Sequence, residues 1–397
     1  MNKKFIGTLA AAALLVSLAP VGASAATVEA PAVTKEVKKD KVSKHAEDRV
    51  LVKFKAGKDA KAASEKHGAK LDKDLGNEWK LVNVPNGKKA ADFMDTLLAD
   101  ADVENVELDY VRTLTATPND PSYGSQWHHT NIQANLAWDI TTGSTTRVVA
   151  IIDTGVDFSH SDIASKLVGG YDYVNNDSVA DDDHGHGTHC AGITAAVTNN
   201  SYAVAGVDWN AKIMPIKVLN AQGSGYDSAI ISGINYAKNN GAHVLSMSLG
   251  GGAYSQASQD AITSAWNAGK IIVAAAGNSN TSAKSYPAAY ANVVAVASTT
   301  STNTRSSFSN YGTWVDIAAP GSNILSLQNN GTTTTMSGTS MATPVVAGVM
   351  SLAWSKNTAY SNSTVVNRVL STADAISGTG TYWLNGKVNA YKAVNGF

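Results

Sequence analysis

Cysteine is almost absent from this 397-residue chain: Cys190 stands alone, so no disulfide can close within it. Net charge is nearly absent as well. Thirty-one Lys and Arg face 32 Asp and Glu for a formal balance of −1, which offers no electrostatic footing for nucleic acid or for an anionic membrane. Long apolar runs are missing after the first 19 residues, so no later stretch is expected to cross a bilayer and no membrane anchor is expected. The one early run, 5–19, is too short and wrongly flanked for a span. Lys3 and Lys4 precede it and Ala23-Ser24-Ala25 follows, the order of a signal peptide over residues 1–25. The expected product is therefore exported and extracellular. An exported protein without disulfides needs rigidity from a large core or from a bound cation such as calcium.

What charge there is lies unevenly. Residues 1–116 hold 36 of the 63 charged side chains, a difference of density rather than sign that predicts a boundary near 116. Residues 26–48, rich in Lys, Ala, Val and Glu without aromatics, read as a flexible leader. Over 49–116 the pattern predicts strands at 50–54, 79–84 and 103–111 and helices at 60–67 and 88–99. That is a small α+β unit of split β-α-β kind. Residues 113–117 are polar and unpatterned, a plausible linker and cleavage region. Over 117–397, apolar strands at 148–152, 213–218, 244–247, 271–275 and 293–297 alternate with helical patterns such as 227–240, which ends before Gly241. The fold class expected is α/β, a mainly parallel sheet with helices on both faces.

In such sheets functional groups gather at the carboxyl ends of strands. Asp153 follows the run Ile151-Ile152 there; a buried carboxylate must be paired, hydrogen-bonded or metal-bound, although a structural cap would satisfy the same demand. His184-Gly185-His186-Gly187-Thr188-His189 offers either a transition-metal site or a general base at a helix start, and no HExxH pattern or cysteine pair supports the metal. Ser340, in Gly338-Thr339-Ser340-Met341-Ala342-Thr343-Pro344, precedes an apolar helix over 345–354. Unpaired N–H groups at that helix start would favour negative charge near its oxygen, or the serine simply caps the helix. The amide of Asn278, after Ala274-Ala275-Ala276-Gly277, either donates to an oxyanion or shapes a turn.

Taken together, Asp153-Thr154-Gly155, His186-Gly187-Thr188-His189, Gly277-Asn278 and the 338–344 segment resemble the subtilase family, in the Asp, His, Ser order of subtilisin. The likeness runs from Pro118 onward, and Pro118-Asn119-Asp120-Pro121 with His189-Cys190-Ala191-Gly192-Ile193 is similar to the thermitase branch. It implies a serine endopeptidase with Ser340 as nucleophile, His186 as base, Asp153 as its orienting carboxylate, and Asn278 with the Ser340 N–H as oxyanion donors. His189 would be structural and Cys190 a small apolar filler behind His186.

The resemblance further implies that Gly223, Ser224 and Gly225, with Ser248, Leu249 and Gly250, flank an extended polypeptide substrate. Ala275, Ala276 and Gly277 would leave room for a large apolar side chain. A tight calcium site is implied at Asp120, Asp162 and Asn200 with the carbonyls of Val197, Tyr202 and Val204, and a second at Asp172, Asn175, Asp177 and Asp181. Residues 49 to about 112 resemble the family's propeptide, an intramolecular inhibitor and folding aid removed by self-cleavage near 113–118. A monomer is expected. Two other readings are a catalytically dead binding protein, against which all four catalytic positions stand, and a metal hydrolase using the 184–189 histidines.

Overall fold

The computed structural model describes residues 45–111 and 116–397. The signal peptide, the leader up to residue 44 and residues 113–115 of the expected cleavage region lie outside the described residues. The chain divides into two compact units between residues 111 and 112.

The first unit runs β1 (His45–Phe54), α1 (Ala60–Glu65), β2 (Lys70–Gly76), β3 (Trp79–Asn83), α2 (Ala90–Leu98) and β4 (Val103–Tyr110). Its sheet has the order β2-β3-β1-β4, with every pair antiparallel. Val50, Val52 and Phe54 alternate inward along β1 and meet Phe93, Met94 and Leu97 of α2 in one core. Asp59 caps α1 by accepting from the Lys61 and Ala62 N–H groups, and Gly68, at φ +70°, turns the chain away. β1 starts inside the stretch expected to be an unstructured leader, its His45 pairing with Tyr110. β2 was not expected: Lys70, Asp72, Lys73 and Asp74 leave it almost wholly exposed, so no apolar alternation marks it.

The second unit runs α3 (Trp127–Asn131), α4 (Ala134–Trp138), β5 (Val148–Asp153), β6 (Tyr171–Asp172), α5 (His186–Ala195), β7 (Lys212–Lys217), α6 (Asp227–Asn239), β8 (Val244–Met247), α7 (Gln256–Asn267), β9 (Ile271–Ala275) and β10 (Val294–Thr299). It continues with β11 (Ile317–Pro320), β12 (Ile324–Gln328), β13 (Thr332–Met336), α8 (Thr339–Trp354), α9 (Asn362–Ser371) and α10 (Ala390–Val394). Seven strands form a parallel sheet in the order β11-β10-β9-β8-β5-β7-β6, the α/β architecture expected from the alternation of elements.

Both faces are covered. Val149 and Ile151 of β5 face a core shared with α5 and α8, whereas Ala150 and Ile152 face the core under α6 and α7. A strand buried on both sides reads as an unbroken apolar run, which is why β5, β7, β8 and β9 stand out in the sequence. The short edge strand β6 and the Thr-rich hairpin β12–β13 do not. β5, β8 and β9 end on the same side of the sheet, and that side carries the site.

Candidate active site

Asp153 closes β5 and is fully buried. Its Oδ1 accepts from its neighbour's backbone N–H (Thr154, 2.8 Å) and lies 2.7 Å from Nδ1 of His186, the first residue of α5. Oδ2 has no hydrogen-bond partner among the described residues. Because the carboxylate can only accept, Nδ1 carries the proton and Nε2 keeps its lone pair. Burial pushes the His186 imidazolium toward losing its proton, but the charge and hydrogen bond of Asp153, with the charge of Asp182, outweigh burial and raise its pKa above the ordinary value. Gly185 makes the sharp entry to α5 at φ +100°, where a Cβ would collide with the Gln328 amide at 2.2 Å.

Ser340 is the second residue of α8, at the end of the helix where backbone N–H groups lack intrahelical partners. Its hydroxyl donates to the Ser248 carbonyl (3.1 Å), while the Ser248 hydroxyl donates to the Ser340 carbonyl (2.8 Å). This exchange ties the start of α8 to the segment leaving β8. The Asn278 side chain is fixed in one sense, its Oδ1 accepting from both the backbone N–H (2.8 Å) and the hydroxyl (2.9 Å) of Thr339. Its Nδ2 is thereby left to donate elsewhere. A Cβ placed on Gly338 would sit 3.5 Å from both Asn278 Nδ2 and the Ser340 backbone N, so two donors border one small space that glycine keeps open. Donors arranged around such a space suit an oxygen that gains negative charge.

A cleft of about 740 Å³ joins His186, Ser340 and Asn278 to Gly223, Ser224, Gly225, Ser248, Leu249, Gly250, Ala275 and Gly277. Ala276 is the exception among the expected lining residues: it is fully buried in the core under α6 and α7. Successive residues leaving β9 face opposite sides, so Ala275 and Gly277 face the cleft and Ala276 does not. The sequence reading also missed Tyr286 and Tyr290 in the cleft wall, for which no motif gives a signal. Asn310 was missed too; it accepts from the Ser279 and Thr281 N–H groups, donates to the Ala276 carbonyl and so shapes the turn carrying Asn278.

Among the described residues the three histidines of 184–189 do not gather as one ligand set. His189 directs Nε2 to the carbonyls of Ile324 and Thr334, and burial pushes its pKa down to about 4. Cys190, fully buried, has its thiol pushed well up by burial and then by the charge of Asp153, and donates to the Ser340 carbonyl. It packs as a neutral thiol.

Asp120 and Asp162, both buried, approach one another. Burial, with the charge of Asp120 adding to it, drives the Asp162 carboxyl up to about 6 despite bonds from the Val204 N–H and the Asn200 amide. Two buried carboxylates that repel each other beside the loop 199–204, which bonds to both, fit a hard divalent cation. Asn200 turns its oxygen to the Tyr202 N–H, so ligation would require that amide to reorient. Asp172 and Asp177 pair across a bridge, with Asn175 donating to Asp172, whereas Asp181 accepts from the Phe158 N–H. The structure thus gathers three members of the expected second set in one turn and gives the fourth a separate partner.

The sequence model of the subtilase family matches residues 144–393, and that of the fervidolysin N-terminal prodomain matches 31–109. Thermitase of Thermoactinomyces vulgaris is 52% identical over 279 residues, covering 70% of this chain and 99% of that protein. The thermophilic serine proteinase of Bacillus sp. (strain AK1) is 39% identical over 391 residues, covering 96% and 97%. Among solved structures, a protease of Pseudoalteromonas arctica aligns with a TM-score of 0.66 at 36% identity, covering 70% of this chain and 99% of that one.

Proposed function

The chain belongs to the subtilase family, a serine protease with a fervidolysin-type prodomain, and on that premise we propose that it is a secreted, calcium-stabilised endopeptidase that matures by its own cleavage. The observation that carries this reading is the pairing of Asp153 with His186 beside a serine whose helix start and Asn278 border one donor-lined space.

In the mechanism, the Ser340 hydroxyl turns from the Ser248 carbonyl toward His186 Nε2, which takes its proton as Oγ attacks the peptide carbonyl. The carbonyl oxygen becomes an oxyanion and receives hydrogen bonds from Asn278 Nδ2 and the Ser340 N–H. His186, now an imidazolium held by Asp153, returns the proton to the leaving amine; water then repeats the sequence to free the enzyme. Substrate polypeptide lies extended between 223–225 and 248–250. Gly225 lets the 223–225 segment pack against Val218, for a Cβ there would meet the Val218 carbonyl at 2.1 Å. Ala275 and Gly277 leave space for an apolar or aromatic side chain before the scissile bond, and the remaining contacts are to backbone, which gives broad specificity.

Calcium would be held by Asp120, Asp162 and Asn200 with the carbonyls of Val197, Tyr202 and Val204, where it would supply positive charge between repelling carboxylates. The weaker second set is Asp172, Asn175, Asp177 and Asp181. Residues 49–116 act as inhibitor and folding aid, and the mature domain, 117–397, works as a monomer without a membrane anchor. Among the described residues no helix is long and apolar enough to cross a membrane.

The test is an intact-mass time course of the wild-type and Ser340→Ala precursors, with casein hydrolysis followed in parallel. Wild type alone should shed the residues before about 117 and gain casein cleavage. The Ser340→Ala chain should stay whole, with a kcat loss on the order of 10⁶, the size seen for the nucleophile of subtilisin itself. Equal processing and activity in both would reject Ser340 as nucleophile.

A further inference from the structure

Asp182 belongs to none of the sites above, yet its buried carboxylate accepts five hydrogen bonds. Oδ1 receives the Thr154 hydroxyl (2.8 Å) and the N–H groups of His184 (3.0 Å) and Gly185 (2.9 Å); Oδ2 receives the Thr188 N–H (2.9 Å) and hydroxyl (2.6 Å). The Thr154 hydroxyl in turn accepts from the Gly187 N–H (2.9 Å). Every one of these donors neighbours one of the reacting groups in sequence. Thr154 follows Asp153, while 184, 185, 187 and 188 flank His186 on both sides.

We propose that Asp182 is a positioning residue of the proteolytic site, clamping the end of β5 to the start of α5 so that the imidazole keeps its register on Asp153, and adding a second fixed negative charge beside it. This rests on the assignment of His186 and Ser340 made above. A carboxylate is required chemically, since all five partners are donors and both oxygens are used. An asparagine in its place would turn two N–H donors toward the N–H and hydroxyl of Thr188. The charge also acts on the reaction. His186 becomes an imidazolium during turnover, and a second anion near it favours that form, as the direction of its pKa shift accords. The titratable groups facing the imidazole are Asp153 from β5, Asp182 and His184 from the preceding loop, and His189 and Cys190 from α5. The His184 ring is 6.2 Å away.

The two contributions separate by mutation. Asp182→Asn removes the charge and part of the clamp; Thr154→Val removes the bridge and keeps the charge. In a kcat/KM against pH series on the matured enzyme, Asp182→Asn should lose up to about 10²-fold, mostly in kcat, and its acid limb should move to lower pH. Thr154→Val should lose kcat with the limb in place, and Thr154→Ser should restore it. An acid limb unmoved in Asp182→Asn, or full kcat in Thr154→Val, would overturn the proposal. Should Asp182→Asn fail to mature, the His186 ring can be titrated by NMR in the Ser340→Ala chain, with and without Asp182→Asn. A lower midpoint in the double variant supports the proposal and an equal one rejects it. A wild type lacking any acid limb, or a Ser340→Ala enzyme that still turns over, would instead reject the assignment of the site.

Discussion

The two units of the chain are held together by different physics. In the first, opposite charges meet mostly at the surface: Arg49 with Asp109, Lys53 with Glu104, Lys58 with Asp102 and Lys80 with Asp74, at 2.6–2.8 Å. Its single core lies on one face of a four-stranded sheet. In the second, two cores sandwich the sheet, and the polar groups that matter are buried inside directed networks, as at Asp153, Asp182 and Asn310. A small unit buries a smaller fraction of its surface and stays marginal, and exposed ion pairs add little to it. The larger unit holds Asp153 and His186 among neighbours that are themselves hydrogen-bonded, as Thr154 and Thr188 are to Asp182. This suits a reading in which the first unit is discarded and the second endures.

The sharpest way to break that contrast is to cut the small core. Leu97 is fully buried between α2 and the sheet, and Leu97→Ala should cost about 2–5 kcal/mol, a large share of what so small a domain possesses. Made in the uncleavable Ser340→Ala chain, it should abolish hydrogen-exchange protection over β1 to β4 and leave that of the seven-stranded sheet unchanged. Equal loss in both units would mean that they do not unfold separately.

Calcium offers a smaller effect with the opposite address. If Asp120 and Asp162 hold the ion, excess chelator should lower the thermal midpoint of the second unit. A cation present at a hundred times its dissociation constant contributes about 2.7 kcal/mol. The first unit should not respond. A midpoint unchanged by chelation would remove calcium from the function proposed above.

How far the sequence revealed these features follows from the same contrast. β5 and β9 were readable because burial on both faces makes an unbroken apolar run. Asp153, His186 and Ser340 lie where their short motifs place them, at the end of β5 and at the starts of α5 and α8, and Asn278 follows β9 by three residues. β2 and β13 were not readable, because an exposed strand built of Lys and Asp, or of Thr332–Thr335, carries no apolar alternation. Asp182 was hidden within Asp181-Asp182-Asp183, where three like residues have three fates. Asp181 accepts from Phe158, Asp182 clamps the site, and Asp183 pairs with the buried Lys217. A run of aspartates reads as a solvated turn until the partners are in place. Ala276 failed for want of one register step, since sequence alone does not say which of Ala275 and Ala276 turns toward the cleft.

Acid should sharpen the comparison further. The Asp102 N–H, then His67 and Lys66, hold the Asp100 carboxyl well below its ordinary value. A carboxylate depressed in the folded state stabilises fully above its unfolded pKa, and that stability is lost as pH falls below about 3.8. The first unit should therefore keep this contribution down to about pH 4 and lose it below, and Asp100→Asn should flatten that dependence. Proteolysis by the second unit should fail at much milder acidity, because in the proposed mechanism His186, raised above its ordinary 6.5, has to be neutral to take the serine proton. Hydrogen-exchange protection over β1 to β4 in the Ser340→Ala chain and casein turnover by the matured wild type, followed over matched pH series, would place the two midpoints. An activity midpoint as acid as that of the first unit would show that His186 does not set the acid limit of activity.

The smallest effect tests the surface charges directly. Lys53 and Glu104 face each other across β1 and β4 at 2.6 Å, with side chains 31% and 41% exposed. Exposed pairs of this kind contribute roughly 0.2–1 kcal/mol, because solvent screens them and ordering two long side chains offsets part of the attraction. A double-mutant cycle with Lys53→Met and Glu104→Gln should give a coupling in that range at low ionic strength and almost none in 1 M salt, where screening acts within about 3 Å. In the second unit the partner of Asp153 is His186 in a buried site, and salt at the same concentration should leave that coupling largely intact. A Lys53–Glu104 coupling that survived high salt would show that the small unit, too, derives its stability from desolvated and directed polar contacts.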